Sequence, residues 1–279
     1  MKIVGVIQAR TGSTRLPAKV LLPLVGRPAL ERMIERVAAA TTLDDLVVAT
    51  TKREQDDPIR ALAARLGVRC TSGDTYDLID RHLQVARETG ADAVVKLPSD
   101  CPLIDPRVID QVVATYRAHG GAYVFVSNLH PPTWPDGNDV EVIERATLET
   151  AWREADKAFQ REHTTPFVWD QPERFPALNV AWDKGLDLSL THRLTLDYAE
   201  DYRLLATIFD ALHTAGAAPF SVEDIVDYLD ANPEVRVVNA AHAGRSWMTS
   251  HIGDLATMWQ PATQTTLPGG ARPGVDERP

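Results

Sequence analysis

Cysteine is scarce in this sequence, and the two cysteines that are present form no motif. Cys70 and Cys101 are the only ones among 279 residues, and neither has the CxxC or Cys/His spacing of a metal site. This scarcity excludes a disulfide-rich scaffold and a cysteine-ligated zinc centre. We therefore expect two buried thiols in a protein of a reducing compartment.

The sequence also lacks an excess of basic residues and any long apolar run. Its formal net charge is −10, whereas proteins that bind nucleic acids need a basic surface to displace counterions. The apolar run at 3–7 is too short for the core of a signal peptide, and no later stretch approaches membrane-spanning length. We therefore predict a cytoplasmic protein without nucleic-acid or membrane partners, in which local clusters of Arg and Lys bind a small anionic ligand.

What the chain does contain is an alternation of short β-branched runs with helical periodicity. Apolar residues make up 44% of the chain and charged residues 24%, as in soluble globular proteins. Strands that alternate with helices predict an α/β fold with a mostly parallel sheet, covered on both faces. Ligands of such sheets bind beyond the carboxyl ends of the strands. The predicted strands are 2–7, 46–49, 68–70, 93–97 and 123–127.

The alternation is lost after about residue 128, and we interpret 128–195 as a small inserted subdomain within a single domain of residues 1–255. Helical patterns start at two N-caps, Asp105, which precedes a proline, and Ser221, which precedes two acids. The Pro/Gly/Thr-rich tail, 256–279, is predicted to be disordered.

The loop that follows the first strand, QARTGSTRLPAK at 8–19, concentrates cations and small residues. It matches neither the P-loop signature nor the GxGxxG fingerprint of dinucleotide sites. Its small residues can turn backbone N–H groups inward, and Arg10, Arg15 and Lys19 can neutralise phosphate oxygens. From these residues alone a phosphate-binding loop and a solvated loop both remain open.

Two aspartates follow predicted strands and are candidate metal ligands. Asp100 comes just after the strand at 93–97, and Asp197 ends a short predicted strand at 193–197. A carboxylate that faces a phosphate site is a natural ligand for Mg²⁺. The alternatives are a turn-capping role for Asp100 and a complement to the next helix dipole for the acids that follow Asp197.

Two further segments, 135–141 and 161–165, are dense in polar side chains. Each can be interpreted without a ligand, the first as a turn that leads into a strand and the second as a charged helix start. A lone histidine such as His163 is more often structural than catalytic, and no Ser/His/Asp or Cys/His pairing is evident from spacing.

Five blocks of sequence, taken in order, resemble the spore coat polysaccharide cytidylyltransferase family, which is grouped with the acylneuraminate and 3-deoxy-manno-octulosonate cytidylyltransferases. The blocks are IQARTGSTRLPAKVL, DCPLID, PDGNDVEV, REHTTP and RLTLDYAEDY, and the resemblance covers roughly residues 1–240. It implies a Rossmann-like fold of the nucleotide-diphosphosugar transferase type. It also implies transfer of CMP from CTP to a small anionic sugar acid, with Mg²⁺ as cofactor, release of pyrophosphate, and a homodimer.

The resemblance also implies roles for individual residues. It implies that Arg10, Lys19 and Asp100 are catalytic and that Asp100 and Asp197 hold Mg²⁺. The residues implied to bind the nucleotide are Gln8, Ala9, Arg10, Gly12, Ser13, Arg15 and Lys19. The residues implied to bind the acceptor are Asn128, Asp136, Asp139, Glu141, Arg161 and His163, in a segment (128–165) that also helps to form the dimer.

The sequence departs from the family pattern at a few positions. Ala18 stands where the family usually has glycine, which predicts ordinary rather than left-handed backbone there. Lys96, Leu97, Pro98 and Ser99 replace the usual Arg-x-Thr-Gly before Asp100, which puts the local phosphate or base contacts in question.

Three other functions stay open at this point. The acceptor could instead be a phosphonate, a polyol phosphate or a sugar phosphate, and the same fold also supports glycosyltransferases. A non-catalytic nucleotide-binding scaffold is a third hypothesis, against which the two metal carboxylates argue because a scaffold needs no metal pair.

Overall fold

The computed structural model describes residues 1–119, 121–245, 247–257 and 264–266. In chain order its strands are β1 (Ile3–Gln8), β2 (Pro23–Leu24), β3 (Arg27–Pro28), β4 (Asp45–Thr51), β5 (Arg69–Gly73), β6 (Ala93–Pro98), β7 (Phe125–Ser127), β8 (Glu141–Glu144), β9 (Ala177–Val180) and β10 (Gln264–Thr266). β2 and β3 form a small hairpin, and the others form one eight-stranded sheet in the order β10-β9-β7-β8-β6-β1-β4-β5. β8 runs antiparallel to both its neighbours and the remaining pairs are parallel, so the predicted α/β fold with a mostly parallel sheet is confirmed.

Helices cover both faces of this sheet, and others pack beside it in a third buried cluster. They are α1 (Ala29–Val37), α2 (Asp57–Arg65), α3 (Leu78–Thr89), α4 (Pro106–Ala118), α5 (Arg145–Glu154), α6 (Ala158–His163), α7 (Pro166–Trp169), α8 (Ala199–Leu212), α9 (Val222–Ala231) and α10 (Pro233–Arg236). Short 3-10 helices lie at Lys19–Leu21, Glu54–Asp56, Val237–His242 and Trp247–Asp254. No helix among the described residues is both long and apolar enough to cross a membrane.

The alternation of side chains along β1 explains why its sequence is apolar without interruption. Ile3 and Ile7 pack into one buried cluster with residues of α1, α2 and α4, and Val4 and Val6 pack into a second cluster on the opposite face, with residues of α3 and α5. Because successive side chains of a strand point to opposite faces, a strand covered on both sides is apolar at every position.

Both predicted helix caps are present. Asp105 accepts a hydrogen bond from the backbone N–H of Arg107 at the start of α4. Ser221 and Asp224 form a reciprocal capping box at the start of α9, at 2.9 and 2.7 Å. Asp105 also accepts from the backbone N–H of Val222, so this side chain joins the starts of two helices.

The segment 128–195 shares the main sheet, since it contributes β8 and β9 and places α5, α6 and α7 on one face. The predicted strand at 193–197 is wrong. The backbone there makes one isolated bridge, and its N–H groups at Leu194 and Leu196 donate to the carbonyls of Asp136 and Asp100, both at 2.7 Å. These bonds to two loops replace a regular ladder.

The two cysteines are free thiols, Cys101 fully buried and Cys70 partly so. Burial raises the pKa of both above its usual value. The tail, 256–279, lies outside the described residues except for 256–257 and the strand β10, which pairs with β9.

Candidate active site

A cavity of about 970 Å³ opens at the carboxyl ends of β1 and β6. The seven residues predicted for the nucleotide all line it: Gln8, Ala9, Arg10, Gly12, Ser13, Arg15 and Lys19. So do the two predicted metal ligands and five of the six residues predicted for the acceptor: Asn128, Asp136, Asp139, Glu141 and His163. The structure therefore brings residues of all five sequence blocks to one cavity.

The loop at 8–19 is held in place by hydrogen bonds of Thr11, to Asp56 and within the loop. Thr11 donates from its N–H and its hydroxyl to the carboxylate of Asp56, both at 2.7 Å, and accepts from the N–H of Ala18 at 3.0 Å. Ala18 has φ 52° and ψ 26°, so the prediction of ordinary backbone at this position is wrong. The left-handed residue reverses the chain and places Lys19 at the start of a 3-10 turn, at a cost of about 1–2 kcal/mol for an alanine.

Lys19 lies between the two candidate metal ligands. Its Nζ is 3.2 Å from Asp100 Oδ2 and 2.8 Å from Asp197 Oδ1. Burial alone would lower the pKa of Lys19, but the two carboxylates raise it above its usual value. Arg15 reaches the same oxygen of Asp197 at 2.6 Å. Residues that are far apart in the sequence thus form one charged cluster.

Asp197 is positioned by a buried arginine that sequence reasoning missed. Arg193 contacts Asp197 at 3.2 Å, Asp136 at 3.2 Å and Asp201 at 3.0 Å, with its side chain only 4% exposed. Asp201 in turn accepts from the N–H of Asp197 at 2.9 Å. Burial would raise the pKa of Asp197, yet Lys19 and Arg15 hold it at about 2.

Two more carboxylates lie on the loop before β8. Burial, together with the neighbouring Asp139, raises the pKa of Asp136 to about 8. Burial, together with Asp100, raises the pKa of Asp139 to about 7. Asp136 and Asp139 therefore bind protons more readily than ordinary aspartates, because they are buried beside other carboxylates.

This donor set fits a hard divalent cation. Carboxylate oxygens are the ligands that Mg²⁺ prefers, and the ion usually takes only one or two of them beside water and phosphate. No three His, Cys, Asp or Glu side chains of the described residues converge as a metal site. Asp100 and Asp197, which share one ammonium, are the pair best placed to supply the two.

On the floor of the cavity, Lys96 and Glu141 form a buried ion pair across β6 and β8. Thr165 also donates to Glu141 at 2.6 Å. Burial would raise the pKa of Glu141, but Lys96 lowers it to about 2. Lys96 was a departure from the family pattern, and the structure makes it the counterion of a predicted acceptor residue.

Asn128 stabilises the chain segment before β8, next to this ion pair. Its amide donates to the carbonyl of Asn138 at 2.7 Å and accepts from the N–H of Val140 at 3.0 Å. The side chain of Asn138 accepts from the N–H of Asp105 at 3.0 Å. The two asparagines thus fix the loop that carries Asp136 and Asp139.

Arg161, the sixth residue predicted for the acceptor, does not line the cavity with the other five. It donates to Asp77 at the start of α3, at 2.6 Å, and to the carbonyl of Trp152 at 3.1 Å. Two residues along a helix correspond to a rotation of about 200°. Arg161 therefore lies on the opposite side of α6 from His163, which does line the cavity.

Stacked aromatic side chains line one wall of the cavity, and one of them, Trp247, was not predicted from the sequence. His163 stacks on Trp247 with ring centroids 3.9 Å apart, and His130 stacks on Trp169 at 4.4 Å. Burial lowers the pKa of His163 to about 3, so the ring is neutral. Trp247 lies beyond every recognised sequence block, which left no signal for it.

Arg81 is a third residue that the sequence did not single out. Its guanidinium is buried, lines the cavity, and lies 3.5 Å from the carbonyl of Ala49. Its Nε has no hydrogen-bond partner among the described residues. Burial, together with Arg10, lowers the pKa of Arg81 to about 10. An incompletely paired buried cation here is suited to a ligand with hydrogen-bond acceptors.

Comparison with known proteins gives one consistent result. Residues 4–206 match the sequence model of a family described as cytidylyltransferase. A cytidylyltransferase structure from Leptospira borgpetersenii superposes with a TM-score of 0.79 at 31% identity, over 88% of this chain and 98% of that chain. A spore coat polysaccharide biosynthesis protein of Bacillus subtilis is 28% identical over 83% of this chain and 95% of its own length. A 3-deoxy-manno-octulosonate cytidylyltransferase of Geobacter metallireducens is 37% identical over 41% of this chain and 44% of its own length.

Proposed function

Since this chain belongs to the cytidylyltransferase family, and is therefore a CTP-dependent nucleotidyltransferase, we propose that it transfers CMP from CTP to a sugar acid and releases pyrophosphate. The observation that carries the proposal is the cluster of Lys19, Asp100 and Asp197 at the carboxyl edge of a Rossmann-like sheet. It lies in a cavity at the upper end of the usual size for ligand sites, which leaves room for a second substrate.

The loop at 8–19 binds the triphosphate in this proposal. Arg10, Arg15 and Lys19 line the cavity, where each cation can make charge-assisted bonds to phosphate oxygens. Among the described residues Arg10 makes one long ion pair, with Glu162 at 3.7 Å, and Arg15 has a half-exposed side chain. Both are therefore able to exchange a protein partner for a phosphate.

Asp100 and Asp197 would hold Mg²⁺. When bound, the cation would offset negative charge on the phosphate oxygens during transfer. Arg193 keeps Asp197 in position, and Asp201 holds Arg193 from the other side. Asp197 is thus fixed by contacts that do not depend on nucleotide.

The acceptor would occupy the half of the cavity between Asp136, Asp139 and the aromatic wall of Trp169, His163 and Trp247. Carboxylates can accept hydrogen bonds from sugar hydroxyls, and aromatic rings can pack against the apolar face of a sugar ring. The names of two relatives, one in polysaccharide biosynthesis and one that acts on 3-deoxy-manno-octulosonate, support a sugar acid.

The course of the reaction follows from these proposed positions of CTP and the acceptor. A hydroxyl of the acceptor attacks the α-phosphorus in line, and pyrophosphate leaves on the side of the loop at 8–19. Charge spreads over the non-bridging oxygens, so that Lys19, Arg10 and Arg15 contribute by electrostatic stabilisation. No covalent enzyme intermediate is needed.

We further propose that 128–165 contributes to a homodimer, which sedimentation velocity can test.

One assay tests the proposal. Pyrophosphate release is measured with each of the four NTPs against a panel of sugar acids, phosphonates and phosphorylated alcohols, with and without Mg²⁺. We expect release from CTP with a sugar acid, dependent on Mg²⁺, and a reduction of kcat by about 10²–10³ in Asp100→Asn. Absence of release with every acceptor, together with CTP affinity unchanged in Asp100→Asn, would contradict the proposal and leave a nucleotide-binding scaffold.

A further inference from the structure

The ammonium of Lys19 occupies the point that the two metal carboxylates share. Its Nζ lies 3.2 Å from Asp100 Oδ2 and 2.8 Å from Asp197 Oδ1, and the side chain is only 11% exposed. In this arrangement a lysine of the triphosphate loop already serves as the counterion of both carboxylates.

An ammonium and a divalent cation cannot share that point. Mg²⁺ binds carboxylate oxygens at about 2.1 Å, which would bring the ion into contact with Nζ, and the two are charges of the same sign. Lys19 must therefore leave the carboxylates before Asp100 and Asp197 can both ligate a metal. The triphosphate is an anion of the same cavity that can compensate the ammonium after it leaves.

The backbone favours a local displacement of this kind. Val20, the next residue, is fully buried, and the 3-10 turn is closed by the N–H of Leu21, which donates to the carbonyl of Ala18 at 2.8 Å. The start of the turn is thus fixed, while the four-carbon side chain of Lys19 can swing. The triphosphate would lie on the loop that carries this turn.

The other cations of the cluster do not play the same part. Arg15 contacts only Asp197 of the pair, at 2.6 Å, and its side chain is 52% exposed. Arg193 contacts the other oxygen of Asp197, Oδ2, at 3.2 Å. Among the described residues, Lys19 is the cation that bridges Asp100 and Asp197.

We propose that Lys19 is a positioning residue that keeps the metal site closed until triphosphate arrives, so that the divalent cation and the nucleotide enter together. Phosphate oxygens then receive the ammonium, and the carboxylates are released for the metal. The inference rests on the proposed assignment of Asp100 and Asp197 as metal ligands.

The test measures metal binding without nucleotide. Mn²⁺ is titrated into the purified protein, and free Mn²⁺ is followed by electron paramagnetic resonance, for the wild type and for Lys19→Met, Lys19→Arg and Arg15→Met. We expect Lys19→Met to bind Mn²⁺ about tenfold more tightly than the wild type, or better, because a buried like charge is removed. Lys19→Arg retains the bridging charge and should bind as weakly as the wild type.

Arg15→Met is the matched control for charge alone, since it removes one cation from Asp197 but leaves the bridge. Its gain in Mn²⁺ affinity should be well below that of Lys19→Met. Equal gains in the two variants, or no gain in Lys19→Met, would overturn the proposal. If Lys19→Met fails to fold, as judged by its thermal unfolding, Lys19→Gln replaces it with the same expectation.

A double variant locates the effect and separates it from the proposed function. Lys19→Met combined with Asp100→Asn should lose the gain in Mn²⁺ affinity, and a gain that persists would mean that the ion binds elsewhere. Because no substrate is turned over, the result does not depend on the acceptor. Failure of pyrophosphate release with the expected Mn²⁺ pattern would refute the sugar-acid reaction and leave the role of Lys19 intact.

Discussion

Replacement of Lys96 by methionine should destabilise the protein by an amount that depends on pH in a defined way. Glu141, its partner, is only 2% exposed, and without Lys96 it keeps Thr165 as its hydrogen-bond donor. A buried carboxylate that loses its counterion can instead take up a proton. Protonation limits the penalty, and the limit can be calculated.

The limit is the free energy needed to protonate a glutamate of ordinary pKa at the working pH. One pKa unit corresponds to about 1.36 kcal/mol, so at pH 7 and an unfolded pKa near 4.3 the cost of the unpaired carboxylate reaches at most about 3.7 kcal/mol, and the stability lost with the ion pair adds to it. The penalty should then decrease by about 1.36 kcal/mol for each unit of pH between 7 and 5.

The stability of the wild type changes with pH in the opposite direction and over a different pH range. Its folded pKa of about 2 lies below the unfolded value, so the stability from the ion pair is present above pH 4.3 and is lost as pH falls towards 2. The difference between Lys96→Met and the wild type should therefore narrow between pH 7 and 5, entirely through the variant.

Urea unfolding at pH 5, 6 and 7, followed by circular dichroism, measures both slopes. Lys96→Met combined with Glu141→Gln removes both charges of the pair, and it should recover most of the loss at pH 7. A loss in Lys96→Met that is independent of pH, or a double variant as unstable as the single one, would refute the reasoning.

Two further predictions concern the cavity walls. Arg81→Met should weaken CTP binding about tenfold and UTP binding less, because adjacent acceptors O2 and N3 of cytosine can take two N–H donors whereas N3 of uracil is itself a donor. Calorimetric titration compares the binding of the two nucleotides. Arg87→Met, on the exposed side of the same helix, is the control. An equal loss of affinity for CTP and UTP would contradict a contact between Arg81 and the cytosine base. Trp247→Ala should raise the KM for the acceptor several-fold and leave that for CTP unchanged, since the ring stacks on His163, a predicted acceptor residue. Steady-state kinetics tests this against Trp152→Ala, which lies outside the cavity, and a change in the KM for CTP alone would contradict it.

The sequence could predict the positions of Lys19, Asp100 and Asp197 because each follows a recognisable signal. Asp100 and the loop with Lys19 come directly after apolar strands, whose carboxyl ends meet at one edge of a parallel sheet. Asp197 was found through the sequence block around it, although the strand predicted to carry it does not exist. The resemblance of the block therefore identified Asp197 even though the local pattern predicted the wrong secondary structure.

The misplaced and missed residues have separate physical reasons. Arg161 lies on the wrong side of a short helix, a matter of rotation that a motif does not specify. Ala18 adopts a left-handed conformation that its side chain disfavours, because the bonds on either side of it require a reversal there. Trp247 meets His163 through tertiary packing between distant segments, and nothing in its local sequence indicates that contact.

The position of Asp197 depends on the irregular chain at 192–196, and Gly137 is where that dependence can be tested. Gly137 has φ 109°, and a Cβ added there would lie 2.7 Å from the carbonyl carbon of Leu194. Its neighbour Asp136 exchanges backbone hydrogen bonds with His192 and Leu194, at 2.9 and 2.7 Å. A methyl group at 137 must therefore displace the backbone that leads to Asp197.

Gly137→Ala should accordingly lower kcat for CTP-dependent pyrophosphate release by an order of magnitude or more. Gly185→Ala is the matched control, because Gly185 also has a positive φ, 66°, but a Cβ there meets nothing within 4 Å. The control carries the backbone strain of about 1–2 kcal/mol without the collision. Thermal unfolding measures how much each of the two substitutions destabilises the fold. With that known, the difference in kcat between the variants reports the displacement of Asp197. Equal kcat values in the two variants would mean that contacts of Arg193 and Lys19 hold Asp197 regardless of the loop beside it.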